Sequence, residues 1–430
     1  MAIKDPPSTN NPAKLHVAIV GAGIAGVTLA LGLLSRGISV TIYERGASFR
    51  EIGAGIGFTS NAERAMKILD PQIHAAFKRV TVQNGTDWFM WMDGMSEDCS
   101  LIHKMYLGER GFEGCHRAEF LDELVRLMPD GIVRFGKTVD RIEEFEWEDE
   151  RPVHLKFTDG SVECADVVIG CDGIRSRVRQ LLLGADNPAS YPTYSHKYAF
   201  RGLIPMHQAR AALGVEKTDT RHMYLGKDSH ALTFPVAGGQ ILNVVAFTSD
   251  SHDWPFPEKF TSPAAKADAV QAFSGFNSTV RSIIDLLPEQ LDKWAVFDTY
   301  DNPPPAYSKG RICLAGDSAH AAAPYHGAGA GFAIEDGAVL AHLLSAVSSD
   351  SRKDITAALQ AYDSVRRERA QWLVETSRFV GEMYQWQDKR VGSDLGKCAE
   401  EIEWRSRKIW DYDVEQMVLQ SERAFTRELM

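Results

Sequence analysis

Three glycines constrain how this chain can begin to fold. Gly21, Gly23 and Gly26 stand as G-x-G-x-x-G between a β-branched apolar run at 15–20 and a stretch of helical composition at 27–35, and residues 39–43 read as a second strand. A βαβ unit of this kind opens an α/β domain: the glycines permit a tight turn and let the backbone approach a pyrophosphate at a helix N-terminus. Glu44 closes the second strand, where an acidic side chain accepts hydrogen bonds from a ribose. With both strands and the acid in place, the motif predicts a dinucleotide site. For the glycines alone, the alternative is a turn that packs a helix on a strand.

The chain does not continue as a regular series of βα repeats. Residues 153–157, the turn Asp159-Gly160 and residues 162–164 predict a hairpin, and 167–170 a buried strand, so the nucleotide domain is interrupted. From 194 to 248 the runs 198–204, 221–225, 231–235 and 241–248 are separated by Gly, Asp and Ser turns and predict a mostly antiparallel sheet. A strand at 311–314 then feeds a second glycine-rich turn and a helix at 333–347, and amphipathic segments at 355–386 and 399–429 finish the chain. The expected organisation is a tail (1–14), the first part of the nucleotide domain with interruptions (15–190), a sheet domain (191–300), the last part of the nucleotide domain (301–370) and a C-terminal helical region (371–430).

Composition narrows the partners. Acidic residues outnumber basic ones by 58 to 47 with no Lys/Arg block, which argues against nucleic acid or an anionic membrane and favours a small-molecule substrate. The six cysteines are scattered without a C-x-x-C pair, which predicts no metal site and suits reduced thiols in a cytoplasmic enzyme. Residues 1–13 are polar, carry Pro6, Pro7 and Pro12, and lack a hydrophobic signal core. The apolar run 16–34 divides into strand, turn and helix and is not expected to span a membrane. Trp386, Trp404 and Trp410 in the C-terminal region predict packing on the core or a homodimer contact.

Two later segments identify the dinucleotide. Ile169-Gly170-Cys171-Asp172-Gly173-Ile174-Arg175-Ser176, and Gly316-Asp317-Ser318-Ala319-His320 through Pro324 to Gly331, each place an aspartate and glycines at the end of an expected strand. Together with the first motif they resemble the three fingerprints of the flavoprotein monooxygenases typified by para-hydroxybenzoate hydroxylase and salicylate hydroxylase, over residues 15 to about 345. The resemblance implies a Rossmann-type FAD-binding domain, an antiparallel-sheet substrate domain and C-terminal helices. It also implies bound FAD and a transient NADPH or NADH, in keeping with the lack of a second G-x-G-x-x-G unit. In this class the nicotinamide reduces the flavin, O2 adds to give a flavin hydroperoxide, and an electron-rich ring attacks its distal oxygen.

By the same resemblance, Asp317 hydrogen-bonds ribityl hydroxyls and Pro324 abuts the flavin ring. Gly327, Gly329 and Gly331 bare the N–H groups opening a helix whose start stabilises negative charge on the reduced flavin. Gly57, in Gly53-Ala54-Gly55-Ile56-Gly57, lies close to the cofactor, Arg117 contacts it, and Ala330 offers its N–H to the flavin. Asp172, with Arg175 and Arg177 beyond, shapes the place where flavin and nicotinamide pass. Without the resemblance, Gly53–Gly57 reads as a loop, Arg117 as a surface ion pair and Asp172-Gly173 as a turn.

Arg201 lies within the apolar strand Tyr198-Ala199-Phe200-Arg201-Gly202-Leu203-Ile204, and a buried arginine demands an anionic or hydrogen-bonding partner. This stretch, with Leu232-Thr233-Phe234-Pro235, resembles fungal dearomatising phenol hydroxylases of polyketide pathways, which implies that Arg201 holds a substrate phenolate. The alternative is an internal ion pair or an edge arginine. Some relatives have a tyrosine where this chain has Phe234; Tyr106 and Tyr224 are candidates for that hydroxyl, and half-buried strand residues otherwise. His222 and His230 are candidate acid or base groups, packing histidines otherwise. The expected activity is NAD(P)H- and O2-dependent hydroxylation of a resorcinol-type polyketide phenol, with or without loss of aromaticity. The alternatives are decarboxylating hydroxylation of salicylate to catechol and a flavin-bound regulatory protein without oxygenase activity. The W-x-W-x-I-P segment of flavin halogenases is absent.

Overall fold

The computed structural model describes residues 15–49, 55–82, 86, 88–107, 112–144, 152–256, 258–347 and 351–430; the expected tail 1–14, and Gly53 and Ala54, lie outside them. The glycine motif sits where the sequence predicts. His16–Val20 pairs in parallel with Ser39–Glu44 on one side and with Val167–Gly170 on the other. The sheet continues to Ile312–Leu314 and Ser308–Lys309 at one edge and to Val133–Phe135 at the other. After His16 its central strand is apolar because both faces are covered: Val17, Ala18 and Ile19 are fully buried. The helices Ile24–Ser35 and Gly329–Ala346 pack together, so segments 300 residues apart in the chain build one domain, as the interrupted motif pattern requires.

The second sheet has eight strands, in the spatial order Thr261–Ala265, Gln290–Asp298, Thr193–Pro205, Ile241–Ser249, Ser229–Val236, Arg221–Gly226, Trp88–Asp93 and Leu101–Tyr106. It is antiparallel except where Arg221–Gly226 runs parallel to Trp88–Asp93. The last two strands, within residues 88–106, come from the stretch 15–190 that is expected to carry interruptions, and they join this sheet rather than the parallel one. Register decides which side chains face inward. Arg201, Val245, Leu232 and Met223 form one row across four strands, and the adjacent row is Phe200, Ala246, Ala231 and Tyr224. The second row belongs to a separate core under the helices Met206–Leu213, Lys266–Ala272 and Ser278–Asp285. The first row faces the nucleotide domain.

The C-terminal part is less separate than expected. The helix Arg352–Tyr384 runs 33 residues, about 50 Å, straight through the boundary at 370/371. The segment 399–429 is two helices, Leu395–Trp410 and Val414–Leu429. The Asp413 side chain accepts the Gln416 N–H at 2.8 Å and starts the second one. Among the described residues no helix is long and apolar enough to cross a membrane.

Candidate active site

A cavity of about 530 Å3 lies between the C-terminal edge of the parallel sheet and the inner face of the eight-stranded sheet. Gly21, Gly23, Glu44, Gly57, Arg117, Asp172, Arg201, Asp317, Pro324, Gly329 and Ala330 all line it. Gly26, Tyr106 and Tyr224 do not. Segments that are remote in sequence therefore converge on one elongated site.

At one end the backbone forms a tight cradle. Gly21 has φ +106°, and a Cβ there would lie 2.4 Å from the Cys171 carbonyl oxygen, so only glycine fits. Gly26 acts one step behind: a Cβ would lie 2.0 Å from the Gly21 carbonyl oxygen, so its absence lets the helix seat on the turn. Glu44 accepts the Ala22 N–H at 2.9 Å and the Gly46 N–H at 2.7 Å, which fixes its carboxylate at the cavity wall.

Asp172 is tied into the start of the helix Arg177–Leu183, accepting from the N–H groups of Arg177 (2.6 Å) and Val178 (3.1 Å) and from Ser176 Oγ (2.5 Å). Two residues on, Arg179 is fully buried and donates to the carbonyls of Ile174 (2.5 Å), Ser190 (3.2 Å) and Ser318 (3.0 Å). It locks the second motif to the third. Its one mark in the sequence is that it stands third in a run of arginines at spacing two, after Arg175 and Arg177.

The third motif rests on a buried charge network. Asp336 accepts from Gly316 N–H (2.8 Å), His320 Nε2 (2.6 Å) and Arg366 Nε (2.8 Å), while Glu335 accepts from Arg366, Arg369 and Asn61. Burial alone would push the Asp336 carboxyl up, but His320 and Arg366 hold it down at about 2. The network fixes the start of Gly329–Ala346 against the turn that carries Asp317.

At the other end is an aromatic and cationic chamber. Arg201 enters from the inner row of the sheet; its guanidinium carbon lies 4.7 Å from the Trp294 ring centroid, and its Nε is buried without a hydrogen-bond partner. Burial lowers its affinity for its proton, and the Arg117 charge lowers it further. Arg221, also lining the chamber, was not singled out from the sequence. It is 1% exposed, donates to the Phe112 carbonyl and lies over the Phe112 ring, and burial brings its pKa down to about 9. Phe234, Leu232, Met223 and Val245 supply apolar walls.

Both tyrosine candidates are corrected by register. Tyr224 lies in the outer row and is buried in the second core, and Tyr106 is 47% exposed on the edge strand, stacked edge-on against Trp88. The tyrosines that do line the cavity are Tyr43 and Tyr325. His222 shares the outer face with Tyr224, and burial pushes its pKa down to about 4. His230 is fully buried, stacked on Phe247, and burial holds it well below the usual histidine range. Both are neutral packing groups. Among the described residues no cluster of His, Cys, Asp or Glu could hold a metal.

An FAD binding domain model matches residues 14–377. The chain is 64% identical to the dual trans-enoyl reductase/FAD-dependent monooxygenase tazHJ of Aspergillus terreus, over 99% of this chain and 62% of that longer protein. It is 56% identical to the FAD-dependent monooxygenase pigN of Monascus ruber, over 99% of this chain and 100% of that one. Among solved structures it is similar to a salicylate hydroxylase in complex with its substrate, with a TM-score of 0.83 and 34% identity over 95% of this chain and 98% of that one.

Proposed function

The chain belongs to the FAD binding domain family, among its FAD-dependent monooxygenases, and on that premise we propose that it hydroxylates a resorcinol-type polyketide phenol held as phenolate at Arg201. The observation that carries this reading is the Arg201 guanidinium, whose buried Nε has no protein partner, on the inner face of the sheet and lining the same cavity as the glycine cradle. A buried donor of this kind calls for an acceptor from a ligand.

The residues present fit the cofactor. Gly21, Gly23 and the start of Ile24–Ser35 would hold the pyrophosphate, Glu44 the ribose, Asp317 the ribityl chain, and Pro324, Gly329 and Ala330 the flavin ring, with Gly57 and Arg117 beside it and Asp172 holding the turn between the motifs. Bound FAD, reduced by NADPH or NADH, supplies the activation of O2. The protein's own part is to prepare the ring. An opposite charge about 4 Å from a phenolate oxygen, at an effective dielectric near 20, is worth about 4 kcal/mol, enough to lower a phenol pKa from about 10 by about three units. Arg201 therefore favours loss of the phenolic proton near neutral pH, and the charge spread into the ring raises its nucleophilicity. Trp294 orients the guanidinium, and Phe234, Leu232 and Val245 exclude water around the ring.

A second reading, decarboxylating hydroxylation of salicylate, is supported by Arg117 and Arg201 lining one chamber, since two cations suit a carboxylate beside a phenolate. Mass spectrometry of products from a panel of resorcinols and salicylate separates the two. Hydroxylated resorcinols are expected; turnover of salicylate with stoichiometric CO2 release would reverse the choice.

A further inference from the structure

Arg201 borders a second cavity as well as the first. This space, about 560 Å3, lies alongside the strands Thr193–Pro205, Ile241–Ser249 and Gln290–Asp298 and is lined by Leu203, Asn243, Pro263, Gln290, Asp292 and Trp294, among others. Leu203 and Asn243 pair across adjacent strands, two positions along the same face from Arg201 and Val245. Asn243 is only 2% exposed, yet its Nδ2 has no hydrogen-bond partner. An amide donor at a cavity wall, buried and unpaired, calls for an acceptor from a ligand.

We infer that the second cavity is a subsite for an uncharged, oxygen-bearing aliphatic arm on the substrate ring, with the Asn243 amide donating to a carbonyl or hydroxyl of that arm. The inference rests on the reading of Arg201 as the group that holds the phenolic ring. Arg201 is common to the walls of both cavities, so a ring anchored there lies beside the second cavity as well as the first, and a substituent on it has that space within reach. The lining sets the chemistry. Asp292 repels a carboxylate tail, Leu203 (44% exposed), Pro263 and Trp294 offer apolar contact to methylene groups, and Asn243 selects an acceptor.

The test compares methylresorcinol with the same ring carrying a 2-oxoalkyl arm. Binding to the oxidised holoenzyme is followed by the flavin's visible absorbance and turnover by steady-state kinetics. The arm compound should bind wild type at least about tenfold more tightly, a difference of about 1.4 kcal/mol. Asn243→Leu should remove that advantage while leaving Kd and kcat for methylresorcinol within about twofold. Leu203→Trp, at an exposed position that does not threaten folding, should block the arm and leave methylresorcinol unaffected. Equal binding of the two compounds to wild type, or an equal loss for both in Asn243→Leu, overturns the subsite. Arm-dependent binding without hydroxylation of either compound upholds the subsite and overturns phenol hydroxylation.

Discussion

The Arg201 guanidinium carbon lies 4.7 Å from the centroid of the Trp294 ring, on the neighbouring strand, and that face-on contact fixes a cation in the wall of the cavity. If this cation ionises the substrate, Arg201→Gln should lower kcat/KM about 100-fold at pH 7 with FAD content unchanged. The loss should shrink toward pH 10, where a phenol ionises unaided. Arg201→Lys should restore only part of the activity, because an ammonium neither stacks on the indole nor presents a planar fork. Tyr224→Phe, in the outer row of the same sheet, should leave turnover within about twofold. A pH-independent loss in Arg201→Gln would assign Arg201 a packing role instead.

At Gly21 a side chain is excluded on two counts. A side chain there meets the Cys171 carbonyl oxygen and must also adopt φ +106°. Gly21→Ala should purify without bound FAD, read as the ratio of visible to ultraviolet absorbance. Stoichiometric FAD in that variant would show that the pyrophosphate binds elsewhere.

The charge network below the third motif should dominate stability. Arg366 is fully buried between Glu335 and Asp336, so Arg366→Met leaves two buried carboxylates with fewer partners and should cost about 3–5 kcal/mol in denaturant unfolding. FAD affinity should fall with it, since the network anchors the turn carrying Asp317. A change below about 1 kcal/mol would mean that His320, Arg369 and Asn61 carry the charge alone.

Acid should weaken the fold through histidines. His222 and His230 are held neutral by burial, His222 down to about 4, whereas an exposed imidazole titrates near 6.5. As pH falls, the unfolded chain takes up protons first. The stability from these rings is therefore complete above about pH 6.5 and declines below it by about 1.4 kcal/mol per pH unit for each ring. For His222 the decline continues to about pH 4. Denaturation midpoints between pH 7 and 5 check this, and His222→Leu should flatten the slope. An unchanged slope would place the acid sensitivity on other groups.

The glycine-rich end of the cavity was legible in the sequence, because a glycine turn leaves a local imprint: Gly21, Glu44, Asp172, Asp317 and Gly329 all reach the cavity. The end at Arg201 was less legible. Arg221–Gly226 is buried on both faces, so no polar alternation marks which side meets the cavity, and Tyr224 was placed one register position away from Met223, the residue that does. The pairing of Trp88–Asp93 with Arg221–Gly226 spans some 130 residues and leaves no local signal. Arg366, Glu335 and Asp336 look like ordinary helix-surface charges until two helices are packed together.

Oxygen-isotope labelling tests the central claim most directly. Under 18O2, the enzyme should place one labelled oxygen on the ring of a resorcinol-type phenol for each NADPH or NADH oxidised, and Arg201→Gln should lose that coupling at neutral pH. Product without label, or nicotinamide oxidation that no phenol stimulates, would contradict it.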